Sequence, residues 1–104
     1  MQLSIYIFMS ILTEANAYSA QAEMLKALGH PMRIAIIQLL RNEGEKSVGE
    51  IQEHLMVEQA IASHQLGLMK SKGLLLCRRD GRNMYYQVRN ERIFQIIDCI
   101  EKCV

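Results

Sequence analysis

Apolar residues recur at helical spacing through most of this chain and change to a shorter period only once. The first run holds Leu3, Ile5, Tyr6, Ile7, Phe8, Met9, Ile11 and Leu12. It has about half the roughly 20 residues a membrane-spanning helix needs. Ala15-Asn16-Ala17 has the small-residue look of a signal-peptide cleavage site, but no Lys or Arg precedes the run as a signal requires. The pattern predicts a first helix or extended arm over residues 1–20 that hides its apolar side against a partner subunit. Glu23–Leu28 continues or completes that helix, and Gly29-His30-Pro31 breaks it. Pro31 has no N–H and a fixed φ, which suits the first position of the next helix. Arg33–Arg41 then places Ile34, Ile37, Leu39 and Leu40 in a nearly all-apolar helix, expected centrally in the core. Asn42-Glu43-Gly44 stops it.

The stretch Ser47–Gly73 organises the rest. It predicts two short helices joined by a tight turn. Ser47 can cap the first with its hydroxyl, and Glu50 can reach back to the backbone of the cap, completing a capping box. Val48, Ile51 and Leu55 give this helix one apolar face. Met56 and Val57 occupy the turn. A second helix begins at Glu58 or Gln59, where an acid suits the helix dipole. Its apolar positions are Ile61, Ala62, Leu66 and Met69, and Gly73 ends it. Gln59, Ser63, His64, Gly67, Lys70 and Ser71 remain as a free polar face. A small, polar helix face with a basic residue at its end suits the major groove of DNA.

After Gly73 the period becomes that of short strands. Leu74–Arg79 and Met84–Val88 flank Asp80-Gly81-Arg82-Asn83, whose Gly can take a positive φ. This predicts a β-hairpin with Arg78, Arg79 and Arg82 near its tip. Such a wing can lie along phosphates or dip an Arg into the minor groove. Asn90 is expected to cap a last helix, striped by Ile93, Ile96, Ile97, Ile100 and Val104 with Phe94 beside them. That stripe is wide for a terminal helix and suggests burial between subunits. The fold class expected is mainly α with a β-hairpin wing: a winged helix-turn-helix of four helices, two strands and a fifth helix, paired as a homodimer.

Length and composition sharpen this picture in three ways. The 104 residues predict a single domain spanning 1–104, with half of them hydrophobic and a modest buried fraction that a dimer would improve. Net charge is only +1, so the whole-chain balance says little, but its distribution is uneven. Between His64 and Arg92, Lys70, Lys72, Arg78, Arg79, Arg82, Arg89 and Arg92 face only Asp80 and Glu91. Between Thr13 and Ser63 acids predominate. A basic zone beside a helix pair is an electrostatic footprint for phosphates. Three cysteines without a dense disulfide pattern, and no membrane span, predict a cytoplasmic protein.

The run Lys26-Ala27-Leu28-Gly29-His30-Pro31-Met32-Arg33, with the Ile-rich helix behind it, resembles the opening of ArsR/SmtB-type winged helix-turn-helix repressors. Ser63, Leu66, Met69 and Gly73-Leu74 fall on that family's recognition-helix pattern. Arg79-Asp80-Gly81-Arg82 and Tyr85-Tyr86 match its wing. The resemblance covers roughly residues 20–103. It implies a symmetric dimer built largely by the first and last helices, which binds imperfect inverted repeats in promoters and leaves when an inducer or metal binds. The family's recognition-helix His is Gln65 here, with His64 one place earlier; either can donate a hydrogen bond to a base or phosphate. Metal-sensing members carry a Cys-x-Cys on the helix that here reads Val48-Gly49-Glu50-Ile51, or Asp and His on the last helix, where Asp98 and Glu101 stand without a His. No metal site or cofactor is therefore expected.

The candidate DNA contacts are Gln59, Ile61, Ser63, His64, Gly67, Lys70, Arg78, Arg79 and Arg82. Ile61 either meets a thymine methyl or packs inward. Cys99 and Cys103 lie four apart on one face of the last helix. They are candidate thiol sensors, redox or persulfide, or soft-metal ligands, or else small hydrophobes in a dimer helix. Cys77 is expected to face the core or pack at the wing's edge, His30 to be structural and His54 exposed. No catalytic constellation is present. The alternative to a DNA-binding repressor is a winged-helix interaction or dimerisation module that does not read DNA.

Overall fold

The computed structural model describes residues 2–104, with side chains from Ser4 onward; the Leu3 side chain, part of the first apolar run, lies outside the described residues. The elements are α1 (Gln2–Ala17), α2 (Ser19–Leu28), α3 (Pro31–Glu43), β1 (Lys46–Ser47), α4 (Val48–Leu55), α5 (Gln59–Ser71), β2 (Leu75–Asp80), β3 (Asn83–Val88) and α6 (Arg92–Cys103). The class is the expected one, but the described residues form six helices and three strands in place of the five and two read from the pattern.

Each difference has a local reason. The N-terminal segment is two helices, because the chain turns at Tyr18 (φ −105°, ψ 12°). Tyr18 donates its N–H to the Ala15 carbonyl at 3.1 Å and accepts from Ala22 N–H at 3.0 Å, so the turn leaves few backbone groups idle. The break lets α2 place Ala27 and Leu28 in the core while α1 runs clear of it. The extra strand β1 is only two residues long. It pairs antiparallel with β3, Lys46 with Tyr86 and Ser47 with Tyr85, and makes the sheet order β1-β3-β2. Two residues carry no readable period; what creates the strand is the free edge of β3 beside it. α6 begins at Arg92, one residue later than a cap at Asn90 predicts: Glu91 is the N-cap and makes no side-chain bond, while Asn90 Oδ1 accepts from Arg92 N–H at 2.9 Å just ahead of the helix.

α3 is the central helix. His30 precedes it with extended backbone and accepts from Met32 N–H at 3.1 Å through Nδ1, Pro31 opens it, and Gly44 (φ 79°) ends it with an N–H to Leu40 O. Ile36 and Ile37 are completely buried. Around them close Leu28 from α2, Ile51 from α4, Leu66 and Met69 from α5, Leu74, Leu75 and Tyr86 from the hairpin, and Ile93 and Ile97 from α6. Arg41 ties α3 to α6 by a two-pronged pair with Asp98 (2.7 and 2.9 Å) and by lying 5.0 Å from the centre of the Phe94 ring. Gln38 adds a bond to Glu101 at 3.2 Å. Both α6 acids thus have structural partners, and Arg41 holds the Asp98 carboxyl below its ordinary pKa.

Candidate nucleic-acid interface

The helix pair forms as its sequence demands. Ser47 Oγ accepts from Glu50 N–H at 3.1 Å, and Glu50 Oε1 accepts from Ser47 N–H at 3.0 Å. These bonds hold the Glu50 carboxyl below its ordinary pKa. Met56 then takes a left-handed conformation (φ 56°) and turns the chain into α5. Ala62, Leu66 and Met69 are buried and fasten α5 to the core along one stripe. That anchoring decides which side chains face outward.

Gln59, Ser63, Gly67 and Lys70 share the opposite stripe, with His64 beside them, and all five are exposed. Ile61 is 43 % exposed, which settles it as an outward side chain rather than a packed one. A Cβ added at Gly67 would meet nothing within 4 Å. The protein itself leaves this spot open, so a partner backbone can come close. Gln65 behaves differently from its neighbours. It is half-buried, and its Oε1 accepts from Arg33 Nε at 2.9 Å, while Arg33 Nη1 donates to the Ala27 carbonyl at 3.0 Å. Gln65 therefore braces α5 against α3 and α2, and of the adjacent pair only His64 is turned outward to donate.

The wing is a two-residue hairpin. The register runs from Leu75 opposite Val88 to Asp80 opposite Asn83, leaving Gly81 and Arg82 as the loop. Gly81 has φ 64°, the glycine-first arrangement whose twist matches paired strands. Arg79 and Arg82 are exposed and, with Lys70, have no acidic partner among the described residues. Arg78 does not share their freedom. Its Nη2 lies 2.6 Å from Glu45 Oε1, its Nε bonds both Glu45 oxygens at 3.0 Å, and its guanidinium sits 4.7 Å from the Tyr85 ring centre. The pair lowers the Glu45 pKa and raises that of Arg78. Arg78 serves first to tie β2 to the segment entering β1. Nothing in the sequence near the wing announces Glu45 as its partner.

The cysteines divide as well. Cys77 is half-buried opposite Tyr86, whose hydroxyl is pushed up to about 12 by burial first and by Cys77 second. Cys99 and Cys103 are free thiols exposed on α6. His54 is exposed, as expected. Among the described residues no group of three or more His, Cys, Asp or Glu could hold a metal ion, and no helix is long and apolar enough to cross a membrane.

A helix pair with an outward polar face, followed by a basic hairpin and braced by a central helix, defines a winged helix-turn-helix. Residues 30–75 match the bacterial regulatory protein, arsR family. The biofilm growth-associated repressor of Xylella fastidiosa is 32 % identical over 79 residues, 76 % of this chain and 68 % of that protein. The crystal structure of Rv0081 from Mycobacterium tuberculosis superposes with a TM-score of 0.73 at 35 % identity, covering 84 % of this chain and 87 % of the other. The homodimeric winged helix-turn-helix DNA-binding domain Mb0332 of Mycobacterium bovis gives a TM-score of 0.75 at 30 % identity, covering 86 % and 84 %. The chain belongs to the arsR family of bacterial regulatory proteins.

Proposed function

We propose that this protein is a homodimeric transcriptional repressor that binds an inverted-repeat operator in double-stranded DNA and works without a cofactor. The observation that carries the reading is the division of α5: Ala62, Leu66 and Met69 are buried, while Gln59, Ser63, His64, Gly67 and Lys70 are presented outward. Gln59, Ser63 and His64 contact base edges or nearby phosphates, Gly67 permits close approach, and Ile61 offers an apolar contact for a thymine methyl. Lys70, Arg79 and Arg82 neutralise phosphates or enter the minor groove. Arg78, already paired with Glu45, contributes mainly by holding the wing in place. The Xylella repressor and the homodimeric Mycobacterium bovis domain support repression and pairing respectively. The exposed apolar side chains of α1, together with Ile100 and Val104 at the end of α6, are the surface offered for dimerisation.

The exposed thiols of Cys99 and Cys103 are the place where a thiol-reactive inducer would act. Their spacing disfavours an intrahelical disulfide, since neighbouring helical Cβ atoms stand ~5–6 Å apart and a bridge needs ~3.8 Å.

The test is a mobility-shift titration of genomic fragments at two salt concentrations. Tight binding to selected fragments, weakened by salt, is the expected result. Equal weak binding to every fragment would favour the rival reading, a winged-helix interaction module that does not read DNA. Repeating the titration after polysulfide or oxidant, with Cys99→Ser/Cys103→Ser as control, tests the thiols: release of the wild type alone is expected.

A further inference from the structure

The contacts that hold α5 differ in kind. Ala62, Leu66 and Met69 fasten it to the core along a single line. Apolar burial is non-directional, so that line sets how deep α5 sits and leaves it able to roll. A directed bond on its flank fixes the roll, and Gln65 makes one: its Oε1 accepts from Arg33 Nε at 2.9 Å. Arg33 is itself held from the other side. Ala27 is buried in the last turn of α2. The helical partner of its carbonyl would be the N–H four residues on, at Pro31, which has none. Arg33 Nη1 supplies the missing donor at 3.0 Å. A cation in the first turn of α3 opposes that helix's dipole but suits the C-terminal end of α2. Arg33 forms no ion pair among the described residues, so its bonds to α2 and α5 are what hold it in place.

The seam that Arg33 spans is thinly filled. A cleft of about 170 Å³ lined by Glu23, Lys26, Ala27, Arg33 and Lys72 lies between α2 and the end of α5. Among the described residues the other polar link across it is the exposed pair of Lys72 and Glu23 at 3.6 Å. All these groups belong to one protomer and lie on the flank of α2 turned to α5, whereas Gln21 and Leu25 on its other flank face Ile96 of α6. The bonds therefore need no surface that pairing would cover.

We propose that Arg33 is a positioning residue for DNA reading: acting through Gln65, it fixes the attitude of α5 to the N-terminal helices and so sets the half-site spacing the dimer accepts. The inference rests on the operator reading above. α2 follows α1 after the single residue Tyr18, so a strut from α2 to α5 ties the reading face to the helices that meet the second copy. In a two-fold dimer a tilt of α5 is repeated in the partner, which doubles its effect on the separation of the two reading faces. One base pair added between half-sites moves the second by ~3.4 Å and turns it by ~34° about the duplex. Rejecting such a site requires a stiff link, and Arg33 supplies it without touching DNA.

The experiment takes an operator selected from genomic fragments and varies the spacer between its half-sites by one and two base pairs either way. The wild type is expected to prefer one spacing by about tenfold over its one-base-pair neighbours. Gln65→Met keeps the length of the side chain and removes the acceptor; it should reduce that preference to about threefold or less, while sequence preference within a single half-site is retained. Gln65→Glu returns an acceptor to Arg33 and should restore the spacing preference. Arg33→Lys, a point donor unable to serve Ala27 and Gln65 together, should behave as Gln65→Met does. A Gln65→Met variant with wild-type spacing preference would overturn the proposal. So would one that weakens every spacing equally, since the bond would then serve folding alone. A DNA-free arm separates the proposal from the operator reading. Nitroxides on an unnatural residue at exposed Ser71 report the separation of the two α5 helices in the dimer. Their distance distribution should broaden in Gln65→Met and narrow again in Gln65→Glu; an unchanged width would overturn the proposal. If the wild type selects no fragment, the operator reading fails, and this width alone decides whether Arg33 fixes α5.

Discussion

Arg78, Arg79 and Arg82 stand close together in the chain, yet their surroundings divide them. Arg78 is held by Glu45 and Tyr85; Arg82 sits in the hairpin loop with no ion-pair partner among the described residues. Each phosphate a protein neutralises steepens the salt dependence of binding by about 0.9 in log–log terms. Arg82→Ala is therefore expected to weaken binding to all duplexes and to reduce that slope by about one phosphate's worth, measured by titration across a salt series. Arg78→Ala should leave the slope nearly unchanged and show itself instead as a lower melting temperature. His64→Ala should alter preference between operators; an equal loss on matched and scrambled DNA would contradict its role. A pH effect follows from three carboxylates. Glu45, Glu50 and Asp98 all have folded-state pKa values depressed by Arg78, by Ser47 and by Arg41 respectively. A depressed carboxylate contributes stability that is complete above its unfolded pKa and is lost as pH falls through the folded one. Thermal stability should thus be flat from neutrality down to about pH 5 and decline below the ordinary carboxylate pKa near 4. Asp98→Asn should be less stable at pH 7 and show a shallower acid decline, read by melting curves at pH 7 and pH 3.

At the scale of elements, α4 illustrates what local chemistry can settle. Its capping box closes in both directions, and loss of such a cap typically costs ~1 kcal/mol. Ser47→Ala should lower unfolding free energy by about that amount, measured by denaturant titration; no change would mean that β1 and the core fix the helix start unaided. The features legible in advance share this local character. The cap at Ser47, the proline opening α3, the glycine in the wing loop and the buried stripe of α5 each depend on residues within a turn of one another. The features that were not legible depend on distant ones. β1 exists only because β3 lies beside it, Arg78 is engaged only because the fold delivers Glu45, and Gln65 is withdrawn from the outward face of α5 only because Arg33 reaches it.

At the scale of the whole molecule, the shape is uneven. Its principal extents are 62, 31 and 22 Å, and α1, about 24 Å long at the helical rise, accounts for part of the long axis. Ile5, Tyr6, Ile7, Phe8 and Met9 are consecutive and all are more than half exposed. Steps of 100° carry five such residues around the whole helix, so no single contact face of this chain could cover them, and a helix apolar all round belongs in an interior. A second copy can supply that interior, and pairing would set two α5 helices to meet successive turns of a duplex. The prediction is sharp because none of the described α1 side chains enters the protomer core. Phe8→Glu/Ile11→Glu should leave the helical content of the protomer near native by circular dichroism, while light scattering shows the monomer. DNA affinity should drop at least tenfold, since one α5 alone reads only half of an inverted repeat. A variant that remains dimeric would place the dimer surface on α6 and free α1 for another role. A monomer with undiminished affinity would separate DNA reading from pairing altogether.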